Sequence, residues 1–233
     1  MRVNFNKKGG FVFIMESNKK SSEFNFLEAA MVKRTELFKE CTNIVVGDGN
    51  IDADILFVGE APGRNEDLQG IPFCGAAGKN LDKLLENVGL SRKNIYIANI
   101  LKCRPPENRD PLPDEIRAHT PWLLKQIRDM KPRVVCSLGN YATKFFMSLG
   151  DVDLMKSQPG ITKVHGQVQE LLWDVGGCER LGEDAATVVA SREKRGLKIK
   201  LIPLFHPAAI IYNRTKLTPL WEEDMEIVKR ECC

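Results

Sequence analysis

Four side chains in this sequence are of types that could act together on a small polar ring held in a cleft. Glu60 sits in Gly59-Glu60-Ala61-Pro62-Gly63, a tight turn whose glycines let backbone N–H groups approach a ligand. Its carboxylate could orient a water molecule or stabilise positive charge developing nearby; the alternative is a cap on the turn that follows. Asn99 follows Tyr96-Ile97-Ala98 and offers one donor and one acceptor side by side, the pattern needed to read the edge of a planar base. A buried structural amide is the alternative. Phe73 lies among glycine and proline in Ile71-Pro72-Phe73-Cys74-Gly75. From such a loop it could project and stack on an extruded ring, or it could plug the space beneath the loop. His206 precedes Pro207 and is one of three histidines. It could donate to a carbonyl oxygen that gains negative charge, although a lone histidine is often structural. The glycine spacing around Glu60 matches neither a dinucleotide fingerprint nor a Walker loop.

The elements that must position these residues are legible from periodicity. Apolar, β-rich runs at 55–58, 95–100, 134–138 and 199–205 predict four strands. Helical stripes lie between them: Leu81, Leu84, Leu85 and Val88 in 80–88, and Ile116, His119, Leu123, Ile127 and Met130 in 114–130. A third stripe spans 140–146. Strands alternating with helices predict a parallel sheet covered on both faces, with ligands bound beyond the carboxyl ends of its strands. Glu60, Asn99 and His206 all sit at those ends. Residues 1–23 are polar and are expected to form a poorly ordered extension. Residues 24–233 are expected to form one domain, opening with a helix over 24–41. Gly47-Asp48-Gly49-Asn50 predicts a turn. Residues 151–198 are glycine-rich, charged and weakly periodic, and are expected to be a long variable excursion.

The 233 residues are 43% hydrophobic, enough for one sizeable core. A net charge of +3 permits a nucleic-acid partner without demanding one. No apolar run is long enough to span a bilayer, so no membrane partner is expected. Phe11-Val12-Phe13-Ile14 is too short for a signal segment, and Met15 could serve as an alternative start. Seven cysteines without regular spacing predict free thiols in a reducing compartment, here the cytoplasm. A monomer is expected.

Three separated blocks carry a resemblance. Val58-Gly59-Glu60-Ala61-Pro62-Gly63 with Glu66-Asp67 and Gly70-Ile71-Pro72-Phe73-Cys74-Gly75-Ala76-Ala77-Gly78 resembles the first motif block of family 4 uracil-DNA glycosylases. Asn99-Ile100-Leu101-Lys102-Cys103-Arg104-Pro105-Pro106-Glu107-Asn108-Arg109 resembles the second, and Phe205-His206-Pro207-Ala208 the last. The resemblance implies a three-layer α/β/α sandwich around a four-stranded parallel sheet. It implies an enzyme that flips uracil out of DNA and hydrolyses its glycosidic bond, leaving an abasic site. Glu60 would stand near the sugar and the attacking water. Phe73 would stack on uracil, and Gly59, Ala61 and Gly63 would line the pocket. Asn99 would read the O4/N3–H edge, where cytosine presents the opposite pattern. His206 would hydrogen-bond uracil O2, and Glu66 would stand near C5 and help exclude thymine. Lys102, Arg104 and Arg109 would contact phosphates. The segment 210–214, with Ile211 and Arg214, would be a loop that probes the minor groove; from its residues alone it could instead be the start of an amphipathic helix.

The sequence departs from that family at its cofactor. Most family 4 enzymes hold a 4Fe-4S cluster on four cysteines. Cys103 matches one position, His119 occupies another, and the remaining pair falls near Val32 and Thr35. No cofactor is therefore expected, with a 4Fe-4S cluster as the alternative, and His119 is expected to be packed in the core. A relative that traps uracil covalently carries an insertion after the second block; Asn108-Arg109-Asp110-Pro111 lacks it. Two other functions fit the sequence: a catalytically silent DNA-binding homologue, and a glycosylase for another deaminated base such as hypoxanthine.

Overall fold

The computed structural model describes residues 2–5, 11–14, 35–173 and 196–232. Arg2–Phe5 (β1) and Phe11–Ile14 (β2) pair as a separate antiparallel ribbon. The main sheet has six strands: Asp48–Gly49 (β3), Ile55–Gly59 (β4), Tyr96–Asn99 (β5), Val134–Leu138 (β6), Gln169–Trp173 (β7) and Leu197–Leu204 (β8). Their order is β3-β5-β4-β6-β8-β7. The four central strands are the four apolar runs of the sequence, and they run parallel. All residues of β4, β5 and β6 are buried, as expected of strands covered on both faces.

Helices connect them. They are Arg64–Gln69 (α1), Ala76–Asn87 (α2), Pro113–Met130 (α3), Gly139–Met147 (α4), Ile161–Val164 (α5), Pro207–Tyr212 (α6) and Arg214–Cys232 (α7). The period-2 alternation of the strands separates two cores. Leu56, Val58 and Val135 face Ile116, Leu123 and Ile127 of α3 and Phe145 of α4. Ile55, Phe57 and Cys136 face Leu81 and Leu85 of α2 and Trp221 and Met225 of α7.

The sheet is mixed, which corrects the expectation of four parallel strands. Both edge strands are antiparallel to their neighbours. β3 is two residues inside the predicted Gly47–Asn50 turn, too short to show a period. β7 lies within the stretch read as a variable excursion. It escaped notice because an edge strand is half covered and carries Gln169 and Glu170 among its apolar residues. Residues 174–195 of that excursion lie outside the described residues. So does 24–34 of the predicted first helix, whose described end contains only a 3-10 turn, Glu36–Lys39. Helix α7 was not expected, because Pro219 lies within it and its face mixes buried Asp224 with Trp221, Met225 and Val228.

Candidate active site

The site grows from two neighbouring strand ends. Gly59 ends β4, Asn99 ends β5, and the two are register partners. The backbones stay together one step further, because Ile100 N–H donates to Gly59 O at 3.0 Å and Leu101 N–H to Glu60 O at 3.0 Å. Asn99 is 2% exposed, and its Oδ1 is buried without a hydrogen-bond partner. A buried unpaired carbonyl oxygen costs about 1–3 kcal/mol, and this one lies at the carboxyl end of a strand, the edge where such sheets bind ligands.

Gly59 is small because two groups converge on it. A Cβ there would lie 2.7 Å from Phe73 Cζ and closer still to Asn99 Oδ1. The ring and the amide therefore meet over a glycine floor. Phe73 holds φ +51°, the left-handed region, where a bulky residue costs about 1–3 kcal/mol. Its ring centroid lies 5.6 Å from that of His206, tilted 34°. Phe73 is thus packed into the core, 5% exposed, as a plug beneath its loop rather than projecting from it.

His206 caps the N-terminus of α6 with Pro207 at the first helical position. Ala208 N–H donates to His206 Nδ1 at 3.2 Å, which leaves the ring proton on Nε2. Burial pulls its pKa down to about 4, against a smaller opposing effect of Glu66, so the imidazole is neutral at ordinary pH. Burial pushes Glu60 the other way, up to about 7, with help from the negative charge of Asp110. The site thus pairs a carboxylate poised near neutrality with a neutral N–H donor. Glu66 Oε1 accepts from Gly75 N–H at 3.0 Å, tying α1 to the loop that bears Phe73. Ala61 and Gly63 lie half-buried in the turn between β4 and α1.

Comparison with known proteins gives this geometry a family. A model described as the uracil DNA glycosylase superfamily matches residues 46–226. This chain belongs to that superfamily. It is 39% identical over 205 residues to the type-4 uracil-DNA glycosylase of Archaeoglobus fulgidus, covering 88% of this chain and 90% of that protein. It is 37% identical to the type-4 enzyme of Saccharolobus solfataricus, covering 87% of this chain and 82% of that one. It is 40% identical over 189 residues to that of Thermotoga maritima, covering 81% and 82%.

Within this superfamily frame, several expected DNA contacts change. Lys102 is fully buried, not a phosphate contact. Its Nζ donates to Asn99 O at 2.8 Å and to Gln126 Oε1 at 2.6 Å, so it joins the end of β5 to α3. Arg109 donates through both terminal nitrogens to Glu115, at 2.9 and 2.6 Å, and so serves the start of α3. Arg104 remains half-exposed, its Nε donating to Asn108 Oδ1 at 2.6 Å. Residues 210–212 and 214 are helical, and α6 and α7 are separated only by the non-helical Asn213. Ile210 is buried, whereas Ile211, Tyr212 (88% exposed) and Arg214 face solvent.

The residues at the cluster positions do not fit an iron–sulfur cluster. His119 is fully buried with both ring nitrogens engaged. Lys102 N–H donates to Nδ1 at 3.0 Å, so Nε2 holds the proton and donates to Thr35 Oγ1 at 3.1 Å. Burial, then the Lys102 charge, depresses its pKa to about 4. Cys103 supplies one thiol, the second of the paired positions is a hydroxyl, and Val32 lies outside the described residues. Among the described residues no group of three or more His, Cys, Asp or Glu could hold a metal ion. Cubane clusters need mainly thiolate ligands.

Sequence reasoning missed Asp110 and Tyr141. Asp110 raises the Glu60 pKa and hydrogen-bonds Tyr141, whose own pKa rises to about 12 through burial and that bond. The signal was present in Asp110 directly following the second block. It also missed Asp67, buried in α1, which accepts from Thr42 N–H at 2.8 Å and Asn43 N–H at 3.2 Å.

Proposed function

We infer that the chain is a uracil-DNA glycosylase that hydrolyses the bond between uracil and deoxyribose and leaves an abasic site for excision repair. The observation that carries this reading is the buried, unpartnered Asn99 Oδ1 beside the Phe73 ring over Gly59. An acceptor there suits uracil N3–H, with the amide N–H on O4; cytosine offers an acceptor at N3 and a donor at C4. Three type-4 relatives aligned over most of both chains support the substrate.

The mechanism follows from the charges. The C1′–N1 bond breaks, its electron pair leaves with uracil, and the sugar becomes oxocarbenium-like. The anion builds on O2, where His206 Nε2–H donates. A neutral donor serves here without having to lose a proton, and it exchanges no net charge with the site. Water attacks C1′, and the Glu60 carboxylate takes its proton. Glu66, fixed by Gly75, stands on the side that would exclude a thymine methyl. Arg104 and Arg214 carry phosphate contacts, and Ile211 with Tyr212 fills the gap left by the flipped base. The enzyme acts on uracil-containing DNA as a cytoplasmic monomer, a setting consistent with the free thiols of Cys41, Cys74 and Cys136.

Incubation with single- and double-stranded oligonucleotides bearing one uracil, one hypoxanthine or neither tests the reading. Alkali-labile strands from the uracil substrates alone are expected. No abasic product at stoichiometric protein, or cutting confined to hypoxanthine, would overturn it.

A further inference from the structure

The strained backbone of Phe73 needs something to hold it, and the neighbourhood supplies two restraints. One is steric: a Cβ on Gly78 would run into the Phe73 carbonyl, so that oxygen is pressed against the first turn of α2. The other is Arg92, in the turn between α2 and β5, whose backbone is closed by Asn94 N–H donating to Ser91 O at 2.9 Å. Arg92 Nη2 donates to Phe73 O at 2.5 Å and Nη1 to Pro72 O at 3.0 Å. Its Nε donates to Asp82 Oδ1 of α2 at 2.7 Å, and Asp48 Oδ2 of β3 lies 3.8 Å from Nη1. Both carbonyls belong to the loop that aims the ring.

We propose that Arg92 is a positioning residue for the pocket: by donating to two consecutive loop carbonyls it holds Phe73 so that its ring stands over Gly59 beside Asn99. The guanidinium is suited to this because a planar fork can serve two carbonyls and a carboxylate at once, with Asp82 setting its plane. A lysine would keep the charge facing Asp82 and Asp48 but could not span all three acceptors. Arg92 acts on excision only through Phe73. The proposal rests on the glycosylase reading for what the ring stacks against, and on geometry alone for the loop being held.

Arg92→Lys tests both parts. Amide hydrogen exchange at Cys74 and Gly75 should quicken by about tenfold or more, as local opening becomes easier, while the melting temperature stays near that of the parent. Single-turnover excision should fall by about 10- to 100-fold, the scale of a misplaced reacting group, with Kd for uracil-containing DNA within about twofold, because phosphate contacts dominate that affinity. In a Phe73→Ala background the same substitution should cost nothing further, the non-additivity expected of residues acting through one contact. Unchanged loop exchange, unchanged excision, or an equal loss in the Phe73→Ala background would each overturn the proposal. A parent protein that excises no uracil would instead sink the glycosylase reading, and the exchange measurement would still decide whether Arg92 holds the loop.

Discussion

At the residue scale, the pocket is a set of groups whose environments move them in opposite directions. Glu60 titrates near 7 because burial and Asp110 disfavour its charged form, whereas His206 titrates near 4 because burial disfavours its cation. If the carboxylate is the active form, single-turnover excision should rise as pH passes through about 7 and then level off. His206 adds no limb above pH 5. Asp110→Asn should move the midpoint downward by removing the nearby charge, and Glu60→Gln should abolish the limb and lower the rate by about 10²- to 10⁴-fold. A flat profile between pH 5.5 and 8.5 would remove Glu60 from the reaction. Asn99→Asp takes away the amide donor proposed for O4 and sets a carboxylate there instead. Uracil excision should drop by about 10²- to 10³-fold, the usual cost of one such donor. Gel quantification on a uracil oligonucleotide checks this, and undiminished cutting would refute the role.

At the scale of elements, the second motif block acts as a joint between β5 and α3. Lys102 bridges β5 to α3, Arg109 serves the start of α3 through Glu115, and His119 ties α3 to Lys102 N–H and Thr35. Glu107 and Asn108 both hold left-handed backbone, at φ +51° and +54°, so the turn between β5 and α3 is tightly specified. Lys102→Met should therefore lower stability by about 1–3 kcal/mol, because Gln126 Oε1 and Asn99 O lose a buried donor. It should leave the salt dependence of DNA binding untouched. Arg104→Ala and Arg214→Ala should each flatten the plot of log Kd against log salt by about one ion. Fluorescence anisotropy across a salt series separates the two outcomes. A reduced slope for Lys102→Met would restore it as a phosphate contact.

At the scale of the whole molecule, buried neutral His119 ties α3 to the end of β5 and to Thr35, and this gives folding a pH dependence. His119 has its folded pKa depressed from 6.5 to about 4. Its contribution is present in full above pH 6.5 and is lost as pH falls toward 4, at most about 3 kcal/mol. Melting temperature should fall over that window, and His119→Asn should reduce the fall while lowering stability at neutral pH. An identical pH dependence in the two proteins would show that His119 is not the group responsible. By itself the sequence determined the four parallel strands, the helices α2, α3 and α4, and the gathering of Glu60, Asn99 and His206 on one rim. Those follow from local period and from the rule that strand ends form the ligand edge of a parallel sheet. The Gly/Pro loop singled out Phe73, and the motif blocks pointed to the family. Only the tertiary structure decided that Lys102 is inside and Arg104 outside, since a positive charge reads alike in both places until its acceptors are known. It likewise supplied β3 and β7, whose pairing is non-local, and Arg92, whose hold on Phe73 joins residues nineteen positions apart. Contacts of that kind depend on how elements pack, and no spacing along the chain encodes them.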